Sequence, residues 1–189
     1  MTTNQLPKKH LIEASLSLIE KKGWADFSVR GLCNSLAIET TNLHPHLSSK
    51  SQWVVYWQTY VVEEIQNIIP QEDLLDLSIK DRLLELTMTR FEVLSPHRPA
   101  LKVLFEGLVK EPQNYLQFQS ALRQGWEMLF TYGHIPNTSV ISRIRTEAFI
   151  SLYLVNLYRW LHTDLSAEKL QSTLDQQLGW GDKIMQPYT

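Results

Sequence analysis

The chain of 189 residues contains a single cysteine, Cys33. A lone thiol makes no internal disulfide, so the expected setting is the reducing cytoplasm rather than the secreted side of a membrane. Glycine is scarce, at seven residues, which argues against an all-β chain full of tight turns. No uncharged apolar run approaches the about 18 residues of a membrane span. The most apolar stretch, 148–161, is interrupted by Ser151, Asn156 and Arg159. The start, MTTNQLPKKH, is polar and the apolar positions after it are periodic, so no signal peptide is expected. Also missing are a glycine-rich phosphate loop, a His-Glu-x-x-His pair, a nucleophile elbow and a paired-cysteine site. The expectation is a protein that is not an enzyme and uses no cofactor and no metal. His44 and His46 flank a proline with no cysteine or carboxylate close in sequence, and such spacing does not converge on an ion. Cys33 falls on the inward side of a short helix and is expected to pack as an apolar thiol.

Charge of one sign is lacking as well, with a net of −2. Its distribution is uneven. Residues 1–50 hold six Lys/Arg and four acids, a balance of +2; residues 51–189 balance at −4. A mildly basic head on an acidic body fits a weakly phosphate-facing end.

The apolar periodicity is helical throughout, which gives an all-α fold. A first helix over 7–22 puts Leu11, Ile12, Ser15, Leu18 and Ile19 on one face and is closed by Gly23. A second runs 29–36 with Ser28 as N-cap. A third begins near Thr40. A long helix over 51–69 carries Trp53, Tyr56, Trp57 and Tyr60 and ends at Pro70. Residues 71–77 read as an acidic connector. Further helices are expected over 78–94, 99–110, 113–132, 139–162 and from Ser166 to Leu178, with Pro96, Pro112 and Pro136 between them. There is no internal repeat and no low-complexity segment.

The window SVRGLCNSLAIETTNLHPHLSSK, residues 28–50, holds two short helical patterns joined by a tight turn. That is the helix-turn-helix arrangement, whose second helix can enter the DNA major groove. With LIEASLSLIEKKGW upstream and TNLHPHLSSK closing the motif, residues 8–55 resemble the TetR family of bacterial one-component regulators. Leu43, His46, Ser49 and Lys50 stand where that family's pattern places them. The sequence departs from the pattern at Ala37, where a φ > 0 turn favours glycine, at Glu39 in place of a small hydroxyl residue, at His44 in place of tyrosine, and at Pro45. Proline removes an N–H and pushes the residue before it from α geometry, which shortens the third helix to about Thr40–Leu43.

The resemblance implies a three-helix DNA-binding head, 1–50, on a helical ligand-binding and dimerisation body, 51–189. It implies a ligand-responsive dimeric regulator of transcription, a repressor, with double-stranded palindromic DNA and a small apolar ligand as partners. Thr40, Thr41, Asn42 and His44 would face the groove, where Asn pairs with adenine and Thr meets a thymine methyl; His46 belongs to the same motif. Lys8, Lys9, Ser28, Arg30 and Lys50 would hold phosphates. Phe91, Phe105, Phe118, Trp126 and Phe130 lie at core-like spacings on adjacent helices, and the family adds a ligand cavity among them. His97 and Arg98 would either line that cavity and bind a carboxylate or headgroup, or make an interhelical polar contact.

The helix over 139–162 is apolar on more than one face and is expected to be buried on two sides. Phe149, Leu152, Tyr153, Asn156 and Trp160, with Leu174 and Leu178 of the last helix, are the expected twofold interface. A second, looser resemblance covers the body. DRLLELTMTRFEVLSPHRPALKVL and STLDQQL look like the lipid-binding accessory proteins of ubiquinone biosynthesis, which share the fold. It implies the alternative of a lipid or isoprenoid binder with a non-functional head. Such a protein would carry an amphipathic membrane helix after the body, whereas GWGDKIMQPYT is short for a surface anchor, so no membrane partner is expected.

Overall fold

Helix α1, Lys8–Lys22, follows Pro7, whose ring presets φ at −53° where a missing N–H is harmless. The structure, a computed structural model, describes residues 6–39, 47–136 and 140–185 and is helical without strands among them. The buried face of α1 is Leu11, Ile12, Ser15, Leu16 and Ile19. Leu16 therefore stands inside, and Leu18, expected there, is half-buried. Ser15 keeps its buried hydroxyl satisfied by donating to the Leu11 carbonyl at 2.6 Å. Gly23 stops the helix at φ +87°, donating its N–H to Ile19 O at 2.8 Å.

Helix α2, Val29–Ser35, opens as expected, with Ser28 Oγ accepting from the Gly31 N–H at 3.0 Å. Its end is a Schellman motif: Ile38 N–H reaches Cys33 O at 3.1 Å and Ala37 N–H reaches Asn34 O at 3.3 Å. Ala37 occupies the position where glycine is usual and takes φ +52°, a strain of about 1 kcal/mol. Cys33 is buried, and burial pushes its thiol pKa up against a backbone hydrogen bond, so the thiol stays protonated.

The remaining helices are α3 (Lys50–Ile68), α4 (Gln71–Leu75), α5 (Ile79–Leu94), α6 (Arg98–Leu108), α7 (Pro112–Tyr132), α8 (Val140–His162) and α9 (Ala167–Met185). Two elements differ from expectation. The acidic connector forms α4, because Pro70 precedes it with a fixed φ of −59°, Glu72 and Asp73 suit its N-terminal dipole, and Leu74 is fully buried. Helix α9 continues through Gly179 to Met185.

The chain forms two compact units. One comprises Met1–Val61 with Pro96–Gly125; the other comprises Val62–Ser95 with Trp126–Thr189. In the first unit α1 packs on α6, so the residues before position 50 share a core with helices far along the sequence. In the second unit α9 packs on α5 and α8. Arg82 ties that unit together: it donates to the carbonyls of Leu75, Leu77 and Gly133 at 2.9, 2.9 and 3.1 Å. Lys80 pairs with Asp175 at 2.6 Å between α5 and α9.

Candidate nucleic-acid interface

The described part of the head is built on an aromatic stack. Trp24 and Phe27 lie in the loop between α1 and α2, and their rings stack with centroids 5.6 Å apart. Both meet Trp53 of α3, at 5.8 and 5.2 Å. Trp53 stacks on Trp57 at 5.8 Å, and Trp57 meets Phe105 of α6 and Phe118 of α7, each at 6.4 Å. Aromatic pairs of this kind contribute beyond their buried area and fix ring orientation. The loop leading into α2 is thereby seated on three other helices of the same unit.

Lys50 closes the seat. Its ammonium donates to Trp24 O at 2.8 Å, Ala25 O at 3.0 Å and Glu111 Oε1 at 3.1 Å, and lies 4.9 Å from the Trp24 ring centroid. Three acceptors take three N–H groups, so this lysine has no donor left for a phosphate. Glu111 Oε2 accepts from Trp24 Nε1 at 3.0 Å and Asn114 Nδ2 at 2.6 Å, while Ser51 Oγ donates to Asn114 Oδ1 at 2.7 Å. Burial raises the Glu111 pKa, but the hydrogen bonds from Asn114, Lys50 and Trp24 and the charge of Lys50 outweigh it, and the carboxyl sits below its ordinary value.

Lys50→Met keeps the stem and deletes the charge. The loss expected is about 2 kcal/mol of unfolding free energy at pH 7, read by urea denaturation. A depressed carboxylate contributes stability above the ordinary glutamate pKa of about 4.3, and that contribution is lost as pH falls through the lower folded value. The parent should therefore lose more stability on acidification than the variant. Equal stability at pH 7 with an unchanged acid response would contradict the role given to Lys50.

The other expected DNA contacts are distributed as follows. Lys9 and Arg30 are exposed. Lys8 lies 4.8 Å from the Tyr56 ring centroid. Ser28 is exposed and occupied as the α2 cap. Thr40, Thr41, Asn42, His44 and His46 lie outside the described residues.

Of the residues expected to line one cavity, His97, Arg98, Phe105 and Phe118 belong to the first unit, and Phe91, Trp126 and Phe130 to the second. His97 stands before α6, half-buried; burial lowers its pKa, with Glu13 and Glu20 of α1 raising it and Lys9 lowering it. Its electrostatic neighbours are therefore those of the α1 seam. Phe91 meets Tyr153 at 5.6 Å and Trp160 at 5.4 Å, and Trp126 meets Phe130 at 5.9 Å and Phe149 at 4.7 Å.

Of the expected interface residues, Phe149, Tyr153, Asn156, Trp160, Leu174 and Leu178 are buried within a single chain, and Leu152 is half-buried. A side chain already closed from water in one copy has no surface to offer another. Helix α8 instead exposes Ile144, Ala148, Ser151, Val155 and Tyr158, at steps of four, three, four and three.

Trp24, Glu111 and Asn114 were not legible as part of this site. Glu111 is 61 residues from Lys50 and 87 from Trp24, and no local spacing signals such a contact.

Against solved structures, the chain is similar to a protein of Syntrophomonas wolfei str. Goettingen assigned to the TetR family of transcriptional regulators. The TM-score is 0.65 at 16% identity, covering 96% of this chain and 97% of that one. PfmR, a TetR family transcriptional regulator of Thermus thermophilus, aligns over 89% of this chain and 96% of its own at 16% identity with a TM-score of 0.48. No protein-family model matches the sequence, and no curated protein matches it. The chain has the all-helical fold of the first of these regulators across nearly its whole length. Among the described residues, no helix is long and apolar enough to cross a membrane.

Proposed function

We propose that the chain is a cytoplasmic, dimeric, ligand-responsive transcription regulator that binds a palindromic DNA operator as a repressor, by contact and not by catalysis. The observation that carries this reading is the shared fold, which spans 96% of the chain. A feature of α1 supports it. The first turn of α1 is Lys8, Lys9 and His10, with no acid. Cations at a helix N-terminus are unfavourable by a few tenths of a kcal/mol each. Their presence fits a surface whose working partner is phosphate, with Arg30 alongside and Thr41, Asn42 and His44 reading base edges.

The reading is tested by titrating variants on a duplex upstream of the gene. Lys9→Ala and Arg30→Ala should weaken binding equally on all sequences, each lowering the salt slope by about 1. Asn42→Ala should change sequence preference, with a penalty of about 1–3 kcal/mol on the preferred site. Variants that leave both affinity and salt slope unchanged would rule out DNA as the partner.

We assign the dimer seam to the exposed α8 stripe Ile144, Ala148, Ser151, Val155 and Tyr158, whose alternating steps of four and three match a helix-packing seam. Sedimentation should give twice the 22.0 kDa of one chain, and Val155→Glu should return it to a monomer. A parent chain that sediments as a monomer at micromolar concentration would refute the seam.

A further inference from the structure

The groups that Lys50 and Glu111 join stand at the two ends of one stretch of sequence. Trp24 and Ala25 lie in the loop before α2, and Lys50 is the first residue of α3. Between them in sequence come α2 and residues 40–46, which include Thr41, Asn42 and His44. The Lys50 ammonium donates to the carbonyls of Trp24 and Ala25, 26 and 25 residues away. It therefore ties the start of the stretch to its end.

Glu111 fixes that tie to the rest of the first unit. Its Oε1 takes the Lys50 ammonium and its Oε2 takes the Trp24 indole N–H. One carboxylate thus receives a donor from each end of the stretch. Its backbone is held at the corner between α6 and α7. The Glu111 N–H donates to Leu108 O at 3.0 Å, and its carbonyl accepts from the Tyr115 N–H at 2.9 Å. Pro112, which begins α7, presets the next φ. Asn114 donates to Oε2 and accepts from Ser51 of α3, so a second bridge runs beside the first. The Lys50 and Glu111 side chains are 21% and 30% exposed, which shields this pair more than an ordinary surface ion pair of little worth.

Reading base edges needs side chains held within about 0.5 Å of a productive geometry. Non-specific binding needs only positive charge near phosphates. We propose that Glu111 is a positioning residue for DNA recognition, acting through Lys50 and Trp24 to hold both ends of residues 25–50 so that the side chains between them meet the groove in register. This rests on the DNA-binding reading above and adds the α6–α7 corner to the recognition machinery.

Glu111→Gln is the direct test. Glutamine replaces the carboxylate in neither orientation, because its N–H2 would face either Lys50 or the N–H groups of Trp24 and Asn114. The full chain is titrated on the duplex upstream of its gene and on a scrambled duplex, with circular dichroism showing that the variant is folded. Removing an acid tightens binding to any DNA by charge alone. A positioning role gives the opposite on the upstream duplex, a Kd higher by about fivefold or more, the worth of roughly one base contact. The Kd on the scrambled duplex should be unchanged or lower. In the free chain, hydrogen exchange should quicken in α2 and not in α9. If Glu111→Gln fails to fold, Asn114→Ala, which removes the bridge from Ser51, should show the same split at about twofold. A folded variant with both Kd values unchanged, with binding tightened on both duplexes, or with unchanged exchange in α2 would overturn the proposal. A parent that binds both duplexes equally overturns the DNA-binding reading and this role with it. A parent that discriminates, beside a variant that discriminates as well, overturns the role of Glu111 alone.

Discussion

Replacing Trp53 by alanine is expected to lower the unfolding free energy by about 3–5 kcal/mol, the range for emptying a large aromatic site. Trp53 is fully buried and meets Trp24, Phe27 and Trp57 within 6 Å between centroids. It is the point where the loop before α2 rests on α3, so its removal opens a cavity lined by three rings. For a small protein with about 5–15 kcal/mol of stability this is a large fraction. At about 2–4 °C per kcal/mol, the midpoint of thermal unfolding should drop by roughly 10 °C. Trp53→Phe should be much milder. The indole Nε1 is buried without a hydrogen-bond partner among the described residues, so deleting that N–H relieves an unsatisfied donor while the ring contacts largely remain. Urea unfolding followed by circular dichroism at 222 nm separates the two variants. A Trp53→Ala loss below about 1 kcal/mol, or a Phe variant as damaged as the Ala variant, would contradict the packing described.

Gly107→Ala should destabilise by a net amount of about 1–2 kcal/mol, against the direction that helix propensity alone gives. Gly107 lies inside α6, where glycine is about 0.5–1 kcal/mol less favourable than alanine. Propensity therefore predicts a gain. However, a Cβ at this position would fall on the Cβ of Trp24 and within 2.9 Å of its Cγ and Cδ1. The Trp24 Cβ is fixed by the backbone and cannot swing aside by a rotamer change. Overpacking of this kind destabilises by about 1–3 kcal/mol, more than the propensity gain. Because Lys50 holds the Trp24 carbonyl and Glu111 holds its indole, the displaced residue would pull on both bonds. The sign of the change, read from the urea midpoint at constant m-value, decides the matter. A stabilised Gly107→Ala protein would mean that α6 does not approach Trp24 this closely.

Much of the head was legible because its signals are local. Ser28 caps α2, Gly23 ends α1, and Ala37 takes the φ > 0 that the turn demands, each within a few residues of the groups it satisfies. Helix α4 was hidden by its shortness, since five residues are too few to show a period. The choice between Leu16 and Leu18 on α1 was close, because two leucines two positions apart differ by about half a turn and other residues on the face support either. Glycine at position 179 looked like a stop, yet Leu170, Leu174 and Leu178 are buried at a spacing of four residues, and α9 runs on past them. The role of Lys50 was invisible for a different reason. A lysine beside a helix-turn-helix reads as a phosphate contact, and the carboxylate that engages it is on a distant helix boundary. On α8 the sequence is apolar nearly all round, so composition did not distinguish the face packed on the unit from the exposed stripe.

Recognition of DNA by this chain is tested most directly by fluorescence anisotropy on the duplex upstream of its own gene. The titration uses the purified full chain, a scrambled duplex of equal length as control, and two salt concentrations. The expected Kd is at least about a thousandfold lower on the upstream duplex at physiological salt, with binding that weakens steeply as salt rises. Weak binding of equal strength on both duplexes would contradict DNA recognition, and would mean that Glu39 and Pro45 have left a head with the fold of a DNA reader and without its activity.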